Sequence, residues 1–305
     1  MISVEKIRGP VVPILTIFKD DLTLDLDGVR SNVRHLIDSG FGQRAGVMLA
    51  VGAGGEFPSL STDERKLVAE AVVDEARGSS PVFIGVQHTD PRVALELARH
   101  AESIGADGIQ LSPPYYYHPT EEDVLDFFST ISDSIDLPIM VYNTYWEGFN
   151  ISVDFLAKIL EIRNVKCVKW SSPTFYEYKR GLREFAGKVP MIDNTASPLA
   201  SHVLGARGFI SHESNFWPRH ELELWERLEN GEYLQAFEML RRLNWPFYDF
   251  RVKTSACKGG EAHVIKAAMD LAGLKGGRCR PPTRDLDEEE REELKSILSS
   301  AGLEV

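Results

Sequence analysis

The sequence predicts a (β/α)8 barrel of parallel strands with an α-helical C-terminal extension. Eight short β-rich runs recur over roughly 210 residues, and amphipathic stretches with N-cap signals separate them. No G-x-G-x-x-G follows the first run, and eight evenly spaced units favour a closed sheet over a doubly wound one. The runs are VVPILT (11–16), GVMLAVG (46–52), PVFIGVQ (81–87), GIQLSP (108–113), PIMVYN (138–143), VKCVKW (165–170), VPMID (189–193) and GFIS (208–211).

The intervening helices are marked by their starts and stops. In STDERKLVAEAVVDEA, Ser61 or Thr62 precedes Asp63 and Glu64. DPRVALELARHAESIGADG carries Pro91 near its start and Gly105 at its end. PTEEDVLDFFSTISDSI and ISVDFLAKILEI read the same way. After about Pro218 the pattern is helical without strands, through HELELWERLENGEYLQAFEMLRRLNWPFYDF, EAHVIKAAMDLAGL and RPPTRDLDEEEREELKSILSSAGL. These boundaries predict a catalytic barrel over 1–217 and a helical extension over 218–305.

Composition narrows the function classes. The chain has 305 residues, enough for one large core, and its formal charge of −12 argues against a nucleic-acid binder working through a broad basic field. Cys167, Cys257 and Cys279 show no CxxC pairing, so neither a disulfide framework nor a structural zinc site is expected and the compartment reads as reducing, a cytoplasmic setting. The N-terminal apolar segment is broken by prolines and too short to span a membrane. The eight histidines are scattered; His88 and His212 end the third and eighth runs, which are not neighbours, so no metal cluster is expected.

In this fold chemistry lies at the C-terminal ends of the strands. The sixth run places Lys169 there, in NVKCVKWSS. Alternation puts Val165, Cys167 and Lys169 on one face and Lys166, Val168 and Trp170 on the other. If Cys167 points inward, so does Lys169, and an inward amine that has lost hydration favours its neutral, nucleophilic form. Such an amine condenses with a 2-oxo acid to a Schiff base, an electron sink for bond making or breaking at the next carbon. The plain alternative is a lysine snorkelling to solvent from a strand end.

GxxGE after the second strand (Gly52–Glu56), PPYY after the fourth, YN ending the fifth and VK ending the sixth together resemble the dihydrodipicolinate synthase / N-acetylneuraminate lyase family of class I, Schiff-base aldolases. The likeness covers nearly the whole chain, including GARGFISHESN and KAAMDLAGLKGGRCRPP. It implies Lys169 as the Schiff-base lysine, with Tyr142 as the phenol that shuttles a proton at the carbinolamine. It further implies Tyr116 as a catalytic residue at a tight dimer seam reaching toward the neighbouring site, as a proton relay or as an aromatic interface plug, together with a homotetramer built as a dimer of dimers, a small 2-oxo acid substrate and no cofactor. Glu56 reads as a structural brace for its loop.

The chain departs from the family pattern at three places. Hydroxyl residues usual before GE are replaced by Ala53 and Gly54, leaving backbone donors for an oxyanion but no hydroxyl relay. The arginine that grips a distal carboxylate in the synthase branch is replaced by Glu147, which implies a distal end bearing hydroxyls, an amine or an aromatic surface near Tyr145 and Trp146. Asp193 stands near a usual glycine, as a polar group beside the site or with Asn194 or Thr195 capping a helix, and Ile210 lies where relatives line the pocket with backbone. The expected function is thus a metal-independent lyase, aldolase or dehydratase, acting on a pyruvate-related or 2-keto-3-deoxy sugar acid. Alternatives are dihydrodipicolinate synthase itself, condensing pyruvate with aspartate semialdehyde, and a catalytically silent barrel that binds a 2-oxo acid.

Overall fold

Eight short parallel strands close into one barrel, in sequence order, in the computed structural model, which describes residues 3–305. They are β1 (Gly9–Pro13), β2 (Val47–Ala50), β3 (Val82–Gly85), β4 (Gly108–Leu111), β5 (Ile139–Tyr142), β6 (Val165–Trp170), β7 (Met191–Asp193) and β8 (Gly208–Ile210). Every strand residue except Lys166 and Ile210 is buried, as expected when a parallel sheet is covered on both faces. The helices that follow β1 to β7 are α1 (Leu26–Asp38), α2 (Thr62–Ala76), α3 (Pro91–Ser103), α4 (Glu121–Asp133), α5 (Val153–Ile159), α6 (Phe175–Phe185) and α7 (Pro198–Val203). After β8 come α8 (Pro218–Glu229), α9 (Tyr233–Met239), α10 (Trp245–Lys258), α11 (Ala262–Leu271) and α12 (Glu288–Ala301). Together they form the expected barrel with its helical C-terminal extension.

Helix starts follow their capping residues. Ser61 and Glu64 make a capping box at α2, and Thr120 and Asp123 make one at α4. Asp90 caps α3, which has Pro91 in its first turn, and Ser152 caps α5. The first strand departs from expectation: it spans Gly9–Pro13, not 11–16. Ile14, Leu15 and Ile17 are buried without strand pairing, and Thr16 donates to the carbonyl of Gly55 at 2.7 Å. An apolar run reads alike whether it is buried in a strand or in a turn. Between α9 and α10, Leu240–Asn244 forms a π-helical turn ahead of Pro246. Proline lacks an N–H and crowds the carbonyl four residues back, and the wider turn relieves both.

The chain divides into two compact units, one of Met1–Val11, Ala45–Leu49 and Pro81–Ile210, the other of Val12–Arg44, Ala50–Ser80 and Ser211–Val305. The first contains the apolar filling of the barrel: Val11, Val47, Leu49, Phe83, Met140, Cys167 and Ile192, with Ile210 packed against them. Phe83 occupies the space above Gly108, where a Cβ would lie 2.4 Å from its ring. In the second unit α1 packs on α2, and α12 on α10 and α11. Among the described residues no helix is long and apolar enough to cross a membrane.

Candidate active site

The register of β5 and β6 determines where the lysine points. Met140 pairs with Cys167 and Tyr142 with Lys169, so these four share the face that fills the barrel. A register irregularity between Ile139 and Met140 leaves Lys166 as the extra residue of a bulge, with Val165 opposite Ile139. The strict alternation expected from Val165 therefore runs only from Cys167 onward. Lys169 is 5% exposed and Tyr142 8% exposed. The lysine Nζ stands 3.8 Å from the centroid of the Tyr142 ring, within the range where an aromatic face attracts a cation. Burial pushes the Cys167 thiol up, so it stays protonated beneath the amine.

Asn143, fully buried, holds these two strand ends. Its amide donates to the carbonyl of Ser171 at 2.8 Å and to Asn150 Oδ1 at 3.1 Å, and its oxygen accepts from the N–H of Ile151 at 2.9 Å. Ser171 Oγ returns a 2.6 Å bond to the Asn143 carbonyl. The asparagine of the YN pair thus fixes the residues immediately after Tyr142 and Lys169.

On the opposite face Trp170 pairs with Asp193, whereas Lys169 pairs with Ile192. Asp193 Oδ1 accepts from Tyr178 Oη (2.6 Å), Thr195 Oγ1 (2.6 Å) and Thr195 N (3.0 Å), and Oδ2 accepts from Ser197 N (2.8 Å). Burial, then the charge of Asp193, pushes the Tyr178 phenol up, which keeps it a donor. The N-cap of α7 is Ser197, not Asn194 or Thr195, and Asp193 supplies the acceptor for its N–H. The structure places this carboxylate as the anchor of the β7–α7 loop, away from the face that carries Lys169.

The other expected site residues are distributed as follows. Tyr116 is 82% exposed in a left-handed backbone conformation (φ +82°), edge-on to Tyr117. Glu147 is exposed and ends a 3-10 turn, Tyr145–Glu147, in which Trp146 stands edge-on to Tyr142 and Tyr145, at 6.1 and 4.9 Å between ring centroids. Ile210 packs against the barrel filling. Ala53 and Gly54 belong to the other compact unit. There Ala53 is exposed and Gly54 buried; a Cβ on Gly54 would lie 3.1 Å from Pro13 Cβ, 3.6 Å from Glu261 Oε1 and 3.8 Å from His212 Cδ2. His212 Nε2 in turn lies 3.3 Å from Glu261, which accepts from Arg251 at 2.6 Å.

Glu56, at φ +57°, is buried within that unit. Lys266 Nζ lies 2.6 Å from its Oε1, an ion pair without hydrogen-bond alignment, and Oε2 accepts from the N–H of Arg280 at 3.0 Å. The GE pair and the KAAMDLAGLKGGRCRPP tail are therefore two halves of one brace. Among the described residues no group of three or more His, Cys, Asp or Glu is placed to hold a metal ion.

Sequence reasoning missed Gln110. It lies on β4, pairs in register with Met140 and so shares the inward face. It is 0% exposed, and among the described residues neither of its amide atoms has a hydrogen-bond partner. The available signal was a polar residue between the apolar Ile109 and Leu111.

A closed parallel barrel with a buried lysine over a tyrosine ring, at the C-terminal ends of adjacent strands, defines a class I aldolase-like fold. A family model, the dihydrodipicolinate synthetase family, matches residues 6–301, and the chain belongs to that family. It is 32% identical over 283 residues to a 4-hydroxy-tetrahydrodipicolinate synthase from Methanospirillum hungatei, covering 90% of this chain and 92% of that one. To an uncharacterized DapA-like lyase from Halobacterium salinarum it is 30% identical over 299 residues, covering 97% and 95%. Among solved structures, a prophage protein of the dihydrodipicolinic acid synthase family from E. coli K12, in complex with pyruvate, superposes with a TM-score of 0.86 at 27% identity, covering 97% of this chain and 99% of that one. A dihydrodipicolinate synthase from Thermotoga maritima gives 0.87 at 27% identity, covering 98% and 99%.

Proposed function

We propose that this chain is a Schiff-base-forming lyase acting on a 2-oxo acid, with pyruvate as its ketone portion. The observation that carries the reading is the buried Lys169 amine, 3.8 Å from the ring centroid of Tyr142 on the neighbouring strand. Burial disfavours the charged form of an amine, and the neutral form is the nucleophile. Nζ attacks the carbonyl carbon, the C=O π pair moves to oxygen, and one proton passes from the nitrogen to that oxygen to give a neutral carbinolamine. Loss of the hydroxyl as water, with a proton from an acid for which Tyr142 is the candidate, leaves an iminium. In cleavage the C3–C4 bond pair enters the iminium as the C4 hydroxyl gives up its proton; in dehydration the C3–H pair enters it as a base takes that proton, and the resulting enamine expels the C4 hydroxyl as water with a proton from an acid.

The loop after β5 supports a substrate whose distal end is not a second carboxylate. Residues 139–151 contain no lysine or arginine, and Glu147 would repel a carboxylate a few ångströms away by roughly 1–4 kcal/mol in a partly wet site. Trp146, 49% exposed and edge-on to Tyr142, offers a flat surface beside it. A 2-keto-3-deoxy acid with a hydroxylated or planar distal group fits this better than aspartate semialdehyde, and with Ala53 and Gly54 this disfavours the synthase reading.

The test is borohydride reduction in the presence of pyruvate, followed by peptide mapping. The expected result is a reduced pyruvyl adduct on the peptide holding Lys169, lost in Lys169→Met. No adduct, or one on another lysine, overturns the reading. An adduct without turnover across 2-keto-3-deoxy acids and pyruvate–aldehyde pairs assigns the chain to the catalytically silent barrel. We extend the proposal to a cytoplasmic homotetramer, a dimer of dimers, with Tyr116 at the tight seam. A bulky residue held at positive φ with its ring in water costs about 1–3 kcal/mol unless neighbours stabilise it. A monomer in sedimentation velocity would refute that extension.

A further inference from the structure

Gln110 sits where an amide is expensive. Burying an amide without partners costs roughly 2 kcal/mol or more, and a leucine or methionine would fill the same space in an apolar barrel at no such cost. Its register partner Met140 and the next, Cys167, are apolar members of the barrel filling. The side chain therefore stands on the inward face in a row with Gly85, Met140 and Cys167, and among the described residues neither of its amide atoms is hydrogen-bonded.

Its height is the same as that of the lysine. The hydrogen-bonded register runs from Tyr142, the last residue of β5, through Lys169 and Ile192 to Gly208, the first residue of β8. The register thus descends toward the strand starts on passing around the barrel, by about one residue per strand in a barrel of this shear. Gln110 on β4 has Cys167 as its register counterpart on β6, two strands on. The residue level with it is consequently two positions further, Lys169. Inward side chains of alternate strands form one layer in this fold, so Gln110 and Lys169 belong to the same layer, both within one compact unit.

We propose that Gln110 is a positioning residue for the covalent adduct on Lys169, its amide oxygen accepting from the Nζ–H of the iminium. This rests on the Schiff-base reading of Lys169. In the free chain Nζ lies against the Tyr142 ring. Once a 2-oxo acid is bound through it, the nitrogen carries a single N–H in the plane of the double bond. The carboxamide oxygen is an acceptor with no proton of its own to transfer, so it orients that plane without competing in acid–base steps. The unpartnered amide is in this view a cost borne by the free enzyme and recovered in the adduct.

The experiment compares wild type, Gln110→Leu and Gln110→Glu for the rate of pyruvate trapping by borohydride and for melting temperature. Loss of a hydrogen bond to a charged group predicts at least about tenfold slower trapping in Gln110→Leu, with a melting temperature equal to or above that of wild type. Gln110→Glu keeps an acceptor and adds a charge beside the iminium, so it is expected to restore trapping to within about threefold and to move the pH profile of trapping. Trapping in Gln110→Leu within about twofold of wild type overturns the proposal while leaving the Schiff base intact. So does slow trapping accompanied by a lowered melting temperature and no rescue by Gln110→Glu, which marks a packing role. Absence of any adduct in wild type refutes the Schiff-base reading instead.

Discussion

Gly181→Ala should destabilise the protein, although helix propensity alone points the other way. Gly181 lies in the interior of α6, where replacing glycine by alanine is worth roughly 0.5–1 kcal/mol. A Cβ there would stand 2.7 Å from Trp170 Cε2, Cζ2 and Nε1, closer than real Cβ contacts. The indole is 1% exposed, and its Nε1 donates to the Tyr178 carbonyl at 3.1 Å, so it has no open direction in which to retreat. Overpacking of this kind costs about 1–3 kcal/mol, and weakening the indole hydrogen bond adds about 1 kcal/mol. The clash therefore outweighs the propensity gain, leaving a net loss of roughly 1–3 kcal/mol. In thermal denaturation this lowers the melting temperature by several degrees, at about 2–4 °C per kcal/mol for domains approaching this size. A double-mutant cycle with Trp170→Phe should show the two sites coupled by more than about 0.5 kcal/mol. A Gly181→Ala protein that melts at or above wild type would refute the reasoning. Trp170 follows Lys169 directly, so the same contact helps determine where β6 ends.

Three further outcomes follow from charged groups. Arg280 donates to both oxygens of Glu64 (2.5 and 2.8 Å) and to the carbonyls of Ser59 and Leu22, and its hydrogen bond is the first cause that holds the Glu64 carboxyl down at about 2. That contribution is present above the ordinary value near 4.5 and is lost as pH falls toward 2. Arg280→Ala should cost about 3 kcal/mol near neutral pH and flatten the acid limb of a denaturation series, which equal slopes in the two proteins would contradict. Burial, then the charge of Glu221, pushes Glu213 up to about 8. The folded protein binds the extra proton, so this group's contribution declines as pH rises from about 4.5 to about 8; Glu213→Gln should remove that decline, and an unchanged pH dependence of urea midpoints would count against it. Glu147→Arg should shift the preferred aldehyde partner of pyruvate toward one bearing a carboxylate by about tenfold in relative kcat/KM, whereas an unchanged ratio would place residue 147 outside the selectivity determinants.

The parts of the fold that were legible in the sequence are those where local signals coincide. Ser61 with Glu64, and Thr120 with an acidic residue at 123, are complete caps within four residues, and both mark helix starts in the structure. The displaced first strand and the shifted α7 start were not legible, because Ile14–Ile17 are as buried as a strand and Ser197, the N-cap, is held through its N–H by Asp193 four residues back. The carboxylates of Glu213 and Glu221 were unreadable for a different reason. Their effect on each other depends on packing α8 and the turn after β8 against Asn244, a partner 23 residues from Glu221.

Facing was the harder question. In strands buried on both sides, apolar residues carry no information about which face they occupy, so only a polar residue can report it. The parity of Cys167 carried Lys169 inward, but the bulge at Lys166 shows that one extra residue further along would have turned the lysine outward. Asp193, in a three-residue strand, depends wholly on its register with β6, and that register sends it to the helix side with Trp170. Gln110 obeys the same parity as Met140, but in the sequence a single glutamine between Ile109 and Leu111 does not reveal which face it takes. Gln110 and Lys169 thus share the inward face with the apolar filling of the barrel and with Tyr142. One carries an amine; the other has no side-chain hydrogen bond among the described residues. An interior that tolerates both is explained if they are satisfied together, by the same bound group.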